Sequence, residues 1–379
     1  MHICVVSPSY PTSKTIDFIF VDQLFRSVAD KNVKVSIIAP QSITKSVVRR
    51  IPIAKKYSKI FTRNGNEIDL YRPIYVSFGN IGGLLKNANR NGFNRAIYKA
   101  YKRIKTPVDV FYGHFWESAY ALVDIALQNN KPLFVASGEE RVAFHNTITE
   151  NERLKLKSVV SGVISVSSKN KQECIDANLA DDFNCEVIPN AIDNKLFTVG
   201  DKNKARQELG ISSEDFVVVF VGQFTIRKGT LRLDNALKSL ADNSIKAIFI
   251  GTGNENPTYE GIVFKGRVPH DDLPKYLQAS DIFVLPTLNE GCCNAIIEAM
   301  ACGLPIISSD LAFNYDVLNP KNSILLDPND ISSITDAIRR LKDDNVMRTA
   351  LSKESLVVAR NLTLDKRADR ILHFINSKR

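Results

Sequence analysis

The run Phe216-Val217-Val218-Val219-Phe220-Val221-Gly222 leaves the chain little choice of architecture. A strand that is apolar on both faces must be covered on both faces. Runs of the same character recur at 2–7, 33–39, 108–112, 132–136, 162–167 and 185–188, and again at 247–250, 261–264, 281–285, 305–308 and 323–326. Helix-like stretches alternate with them, among them 18–30, 118–128, 230–240 and 273–279, and the last part from about 330 to 378 reads as helical throughout. This alternation predicts an α/β fold built on doubly wound parallel sheets. At 379 residues the chain exceeds what one hydrophobic core usually serves. Two Rossmann-like domains are therefore expected, 1–190 and 191–359, divided at the turn signal Pro189-Asn190. A last helix over about 360–379 could return to the first domain. Ligands of such sheets bind outside the carboxyl ends of the strands, so two of them would face each other across a substrate cleft.

Composition narrows the class. Hydrophobic residues at 44% and charged residues at 24% describe an ordinary soluble protein, and no apolar stretch is long enough to cross a membrane. The first residues read as a core strand rather than a signal peptide. The six cysteines show no paired zinc spacing, and Cys292 and Cys293 are adjacent, so reduced thiols in the cytoplasm are expected. The formal charge of +9 is concentrated: residues 43–105 carry 15 basic and 2 acidic side chains. Apolar residues such as Val47, Val48, Ile53, Phe61, Ile97 and Tyr101 interleave with that charge. This suits an anionic membrane surface that presents a lipid-linked acceptor, with the enzyme cytoplasmic and peripheral on the inner face. A solvated basic face over the core is the plainer alternative. No nucleic-acid recognition motif accompanies the charge, so nucleic acid is not expected as a partner.

The chemistry is concentrated later. Glu290 and Glu298 bracket Gly291-Cys292-Cys293-Asn294, followed by the helix formers 295–302 and the glycine stop Gly303. Asn294 is the expected N-cap and Gly303 the expected C′ residue. A helix opening after a small-residue loop offers free amides and a positive dipole end to an anion. Glu290 at the loop and Glu298 one turn into the helix add two acceptor-only groups suited to sugar hydroxyls. Gly251-Thr252-Gly253 also follows a strand. It lacks the remainder of a dinucleotide fingerprint, and tight packing accounts for it as well as a ligand does.

Together with Val221-Gly222-Gln223-Phe224, Arg227-Lys228-Gly229, Phe264-Lys265-Gly266-Arg267-Val268 and Ala279-Ser280-Asp281, this segment resembles the retaining, nucleotide-sugar-dependent glycosyltransferases of family four, which have the GT-B fold. The likeness is strong over about 190–330 and holds only in outline before that. It implies a hexosyltransferase acting in surface polysaccharide or glycolipid synthesis, with a UDP-sugar favoured as donor and a glycan or lipid-linked acceptor. It implies that Lys228 and Arg227 grip the donor diphosphate, and that Glu290 meets the transferred sugar. Glu298 would hold the ribose, and the amides of Gly291, Cys292, Cys293 and Asn294 the phosphates or sugar hydroxyls. Gly222, Gln223, Gly251 and Gly253 would border the donor, and backbone at Arg267 and Val268 would edge the base. Many relatives carry an Arg where this chain has Gln223. They also carry a His before the Gly and acid of the fourth strand, where this chain has Ser137-Gly138-Glu139, which makes Glu139 and His114 the candidates from the first domain. No Asp-x-Asp triplet occurs, so neither a metal nor another cofactor is expected. A nucleotide-sugar 2-epimerase of the same fold and a non-catalytic glycan- or lipid-binding relative are the alternatives.

Overall fold

A computed structural model of the chain describes residues 1–12, 15, 17–78 and 84–379, leaving aside the side chains of 84–86. The membrane-facing region read from the sequence at 43–105 therefore lies in part, at 79–86, outside what is described. The chain divides into two compact units, 1–188 with 364–379, and 189–363.

In the first unit the strands are β1 His2–Val6, β2 Lys34–Ile38, β3 Gln41–Ser42, β4 Tyr57–Phe61, β5 Glu67–Tyr71, β6 Ile74–Tyr75, β7 Val110–His114, β8 Leu133–Ser137, β9 Val160–Ser165 and β10 Cys185–Val187. Eight of them form one sheet in the order β10-β9-β8-β7-β1-β2-β5-β4. Its pairs are parallel except at the edge, where β4 runs antiparallel to β5. The strands β1, β7 and β8 are buried along their whole length, which is why they read as unbroken apolar runs. The edge strand β5 alternates instead, with Ile68 and Leu70 inward. Cores form on both faces of the sheet. The last helix, Leu364–Ser377, completes one of them: Ala368, Ile371, Phe374 and Ile375 are buried, and Phe374 meets the Phe134 ring edge-on at 5.9 Å.

The strands of the second unit are β11 Phe216–Val221, β12 Ile245–Ile250, β13 Ile262–Gly266, β14 Ile282–Leu285, β15 Ile306–Ser309 and β16 Ser323–Leu326. All six are parallel, in the order β13-β12-β11-β14-β15-β16. The order reverses at β11, which pairs with β12 on one side and β14 on the other. That is the topological switch point, where the loops leaving two neighbouring strands diverge and open a crevice at their carboxyl ends.

Candidate active site

Two loops meet at this switch point. The loop after β11 carries Arg227, Lys228 and Gly229 into the helix Thr230–Leu240, and the loop after β14 carries Thr287 and Glu290 into the helix Asn294–Ala301. Backbone and side chain lock them together. The Leu288 amide donates to the Arg227 carbonyl at 2.8 Å, and Arg232 donates to the Pro286 carbonyl at 2.8 Å. Gly229 has φ +80°, and a Cβ there would lie 2.3 Å from the Pro286 carbonyl oxygen. Only glycine allows the two loops to approach this closely.

The pairing brings two of the sequence-derived residues onto one atom of a third. Glu290 Oε1 accepts from Lys228 Nζ at 2.5 Å, Arg227 Nη1 at 3.0 Å and Thr287 Oγ1 at 2.9 Å. Glu290 is 9% exposed, and the Lys228 side chain 13%. Burial works against the Lys228 ammonium. The neighbouring Cys293 sulfur and the Glu290 carboxylate outweigh it, and together they hold the Lys228 pKa above its usual value. The carboxylate thus neutralises two cations that would otherwise sit in a mostly buried crevice. Thr287 was not singled out from the sequence; it lies three residues before Glu290 in the same loop.

The helix Asn294–Ala301 starts one residue earlier than expected. Its N-cap is Cys293, and no side chain caps it. Asn294 is instead the first helical residue, and its buried Oδ1 has no hydrogen-bond partner among the described residues. A cap from Asn294 needs extended backbone at that position, and the Cys292–Cys293 loop supplies the extended residue at 293. Burial pushes the Cys293 thiol up, against the opposing pull of Lys228 and of the amides of Ile296 and Ala295. At the other end Gly303 has φ +82°, and the Leu304 amide reaches the Ala299 carbonyl at 3.0 Å. This closes a Schellman motif.

Glu298 lies inside this helix, 7% exposed, and meets His270 Nε2 at 3.2 Å. Its hydrogen bond to Glu298 raises the His270 pKa, more than burial lowers it. His270 Nδ1 is buried without a partner among the described residues, and the ring stands edge-on to Phe197 at 5.3 Å. His270 escaped the sequence reading, although it lies only two residues beyond Val268.

The remaining donor-side residues are placed less centrally. Gln223 is exposed. Arg267 Nε donates to Thr252 Oγ1 at 2.9 Å. Gly251 and Gly253 are explained by packing: a Cβ on Gly251 would lie 1.8 Å from the Gly222 carbonyl oxygen, and one on Gly253 2.1 Å from that of Phe224. These close approaches join the loops after β11 and β12 through a Phe224–Gly253 bridge.

Glu139 and His114 belong to the first unit. The Glu139 carboxylate accepts from Ser137 Oγ and from the Gly138 amide, both at 3.0 Å, and from the Trp116 amide at 3.4 Å. Burial raises its pKa against these bonds. It ties the end of β8 to the start of the helix Trp116–Asn129. His114, at the end of β7, is buried against Phe115, Phe20 and Phe18 at ring distances of 4.5, 5.2 and 6.1 Å. Among the described residues neither ring nitrogen has a partner, and burial lowers its pKa to about 3. Phe18 and Phe115 both hold positive φ, 59° and 68°, so strained backbone surrounds this neutral imidazole.

The basic region of 43–105 resolves into two parts. In the helix Leu84–Tyr101, Phe93, Ala96, Ile97 and Ala100 are buried in the core, and Tyr101 and Ile104 pack against it. That apolar stripe is not available to a membrane; the same periodicity that suits a membrane face also suits a core face. The stretch before it differs. Val47 and Val48 are 71% and 77% exposed, and Ile53 and Phe61 are exposed as well.

Residues 201–356 match the family model described as Glycosyl transferases group 1. The chain is 27% identical over 368 residues to a putative teichuronic acid biosynthesis glycosyltransferase of Bacillus subtilis, covering 93% of this chain and 92% of that one. It is 29% identical over 225 residues to the Escherichia coli UDP-Gal:alpha-D-GlcNAc-diphosphoundecaprenol alpha-1,3-galactosyltransferase, covering 55% of this chain and 58% of that one. Among solved structures it resembles sucrose-phosphate synthase from Thermosynechococcus elongatus, with TM-score 0.78 and 18% identity over 99% of this chain and 98% of that one. The fold is accordingly GT-B, with two Rossmann-like units, and the chain is a glycosyltransferase. These matches lend no support to the 2-epimerase or the non-catalytic alternative.

Proposed function

We propose that this glycosyltransferase moves a sugar from a nucleotide-sugar donor, a UDP-sugar by preference, to a glycan or lipid-linked acceptor with retention of anomeric configuration. The observation that carries the reading is the convergence of Lys228 and Arg227 on Glu290 at the switch point, beside an uncapped helix N-terminus. A diphosphate entering here would meet two cations and the amides of 291–294, and Glu290 would be released to face sugar hydroxyls. The B. subtilis and E. coli relatives, whose names give polysaccharide synthesis and a UDP-sugar donor, support the same class.

In this reading the bond between the anomeric carbon and the diphosphate oxygen breaks as the acceptor hydroxyl oxygen attacks. Lys228, Arg227 and the helix amides stabilise the charge that grows on the departing phosphate. That phosphate takes the acceptor proton from the same face, which accounts for retention. Glu290 is assigned to the sugar hydroxyls and not to attack on the anomeric carbon, so no glycosyl-enzyme intermediate is invoked. Glu298, steadied by His270, would hold the ribose. In the first unit, Glu139 would hold the strand ends in place, and His114, its ring nitrogens enclosed among Phe18, Phe20 and Phe115, is assigned no contact with the sugar. The positive charge at the diphosphate is assigned to protein groups, without a metal or other cofactor. A cytoplasmic enzyme, peripheral on the membrane's inner face, would meet such an acceptor. Among the described residues no helix is long and apolar enough to cross a membrane.

A thermal-shift panel of nucleoside diphosphates and nucleotide sugars tests the reading. UDP and UDP-sugars should stabilise the protein, and Lys228→Ala should abolish that shift. An unchanged shift in the variant would remove the diphosphate assignment. Product stereochemistry by NMR decides retention.

A further inference from the structure

Three cavities of the first unit meet at Lys99, in the last turn of the helix Leu84–Tyr101. One, of about 570 Å³, lies between this helix and the helices Trp116–Asn129 and Glu150–Val159. A second, of about 490 Å³, lies between the same helix and β6. The third, of about 180 Å³, leads through Tyr71 and Arg103 to a fourth of about 500 Å³ over the edge ribbon β4–β5. In that ribbon Tyr57, Lys59, Glu67, Asp69 and Tyr71 occupy alternate positions and so share one face. Each cavity shares lining residues with the next, and none of these residues belongs to the candidate active site. A single cavity of such volume takes a small ligand, whereas a connected series suits a polymer.

Three kinds of group line this track. Tyrosines recur along it: Tyr57 and Tyr98 are 45% and 40% exposed, and the Tyr57 and Tyr71 rings lie 5.1 Å apart. Its carboxylates are already engaged. Asp69 accepts from the Tyr57 hydroxyl at 2.7 Å, Glu67 from Lys59 Nζ at 2.6 Å and Asp124 from Lys155 Nζ at 2.6 Å. The remaining cations are Lys34, Arg95, Lys99, Arg103 and Lys105. Among the described residues none of these five has a carboxylate within ion-pair distance, so the uncompensated charge of the track is positive. Arg95 and Lys99 stand one helical turn apart and share a face. Exposed aromatic faces suit the C–H face of a sugar ring, and engaged carboxylates keep lone pairs for its hydroxyls. Free cations require an acidic group, which a neutral glycan lacks. A single-stranded nucleic acid uses aromatic faces and cations too, but its phosphates would meet Glu67, Asp69, Asp124 and Glu152 along the way.

We propose that this track binds an anionic polysaccharide, one with carboxylates on its sugars, at a site separate from the one where transfer occurs. The inference goes beyond the proposed transfer reaction and uses no residue of the donor site. Arg95, Lys99 and Arg103 pair with the sugar carboxylates, and Tyr57 and Tyr98 stack against the rings. A glycan held there keeps its free end at high effective concentration on the enzyme between successive reactions.

Calorimetric titration of the full chain with hexagalacturonate tests this, with maltohexaose, hexaglutamate and hexauridylate as controls. Hexagalacturonate should bind, and each control should bind at least about tenfold more weakly. Arg95→Ser with Lys99→Ser, both exposed positions, should weaken hexagalacturonate about tenfold or more, and Tyr98→Ala about threefold or more. Trigalacturonate should bind more weakly than the hexamer, because it spans less of the track. Melting temperature without ligand, and the thermal shift given by UDP, should be unchanged in these variants. Absence of hexagalacturonate binding, or equal affinity in the double variant and the parent, would overturn the proposal. Equal binding of hexaglutamate would reduce the track to a charged surface, and tighter binding of hexauridylate would make it a nucleic-acid site; either result overturns it as well. So would loss of hexagalacturonate binding on Lys228→Ala, which would put the sugar in the donor site. Absence of any UDP shift in the parent protein would refute the donor-site reading alone, and the hexagalacturonate titration would still decide the track.

Discussion

Replacing Lys228 by Met removes the ammonium 2.5 Å from Glu290 Oε1 and leaves a nearly isosteric apolar chain. Breaking a buried ion pair by deleting one partner costs about 3–5 kcal/mol when the remaining charge is abandoned. Here it is not abandoned, because Arg227 Nη1 and Thr287 Oγ1 still reach the same oxygen at 3.0 and 2.9 Å. The expected loss is therefore about 1–3 kcal/mol, nearer the value of one charge-assisted hydrogen bond. At about 2–4 °C per kcal/mol for a unit of this size, the melting temperature should fall by about 2–12 °C. Turnover should fall much further, by about 10²–10³, if Lys228 stabilises the leaving diphosphate in the transition state. The double variant Lys228→Met with Glu290→Gln separates the two effects. Neutralising both partners should restore most of the stability, followed by calorimetry, and none of the turnover, followed by nucleotide release at saturating donor. Recovery of turnover in the double variant would mean that Lys228 serves only to neutralise Glu290. A fall of less than tenfold in the single variant would equally refute its place at the diphosphate.

Three further outcomes follow from other parts of the molecule. His114 titrates near 3 in the folded protein against an ordinary 6.5, so its stabilising contribution is complete above pH 6.5 and is lost as pH falls. His114→Phe should remove about 2 kcal/mol of the destabilisation seen by urea unfolding between pH 7 and 5, and an unchanged slope would show that other groups carry it. The His270 pKa is raised, so its pairing with Glu298 is complete below pH 6.5 and is lost as pH rises through the elevated value. Donor KM should rise over that interval with kcat steady, and His270→Gln should flatten the rise; a flat profile in the parent enzyme would dissociate His270 from donor binding. Gly251→Ala should destabilise the second unit by about 3 kcal/mol or more, because its Cβ meets backbone 1.8 Å away at φ +148°. A near-native melting temperature would show that the two loops can separate.

The sequence announced the parallel strands because burial on both faces leaves no polar residue to blur the pattern. The run 216–221 and the helix 230–240 coincide with β11 and Thr230–Leu240. The edge ribbon β4–β5 escaped notice. Its strands alternate with charge, and the basic residues around them drew the reading toward a surface, although Asn64-Gly65 stands between them with Gly65 at φ +84°. At the site, Lys228, Arg227 and Glu290 were legible because loop, glycine and charge coincide in short segments. Their convergence on a single oxygen was not, since it depends on β11 and β14 becoming neighbours across residues far apart in the chain. His270 was hidden for the same reason: it faces Glu298 from a turn that follows β13, three places from β14 in the sheet. Ile97 and Tyr101 show the opposite failure, where a correct period was assigned to the wrong partner.

The return of Leu364–Ser377 to the first unit sets an order of events during synthesis. Residues 189–363 emerge from the ribosome as an uninterrupted unit and can fold as they appear. The first unit, though begun earlier, must wait for its last helix. At about 5–20 residues per second the wait is on the order of ten to forty seconds. Throughout it, the patch that Ala368, Ile371, Phe374 and Ile375 will cover stays uncovered. Chaperone capture, and sensitivity to tags or truncations at the carboxyl terminus, should therefore concentrate on the half of the protein that is made first.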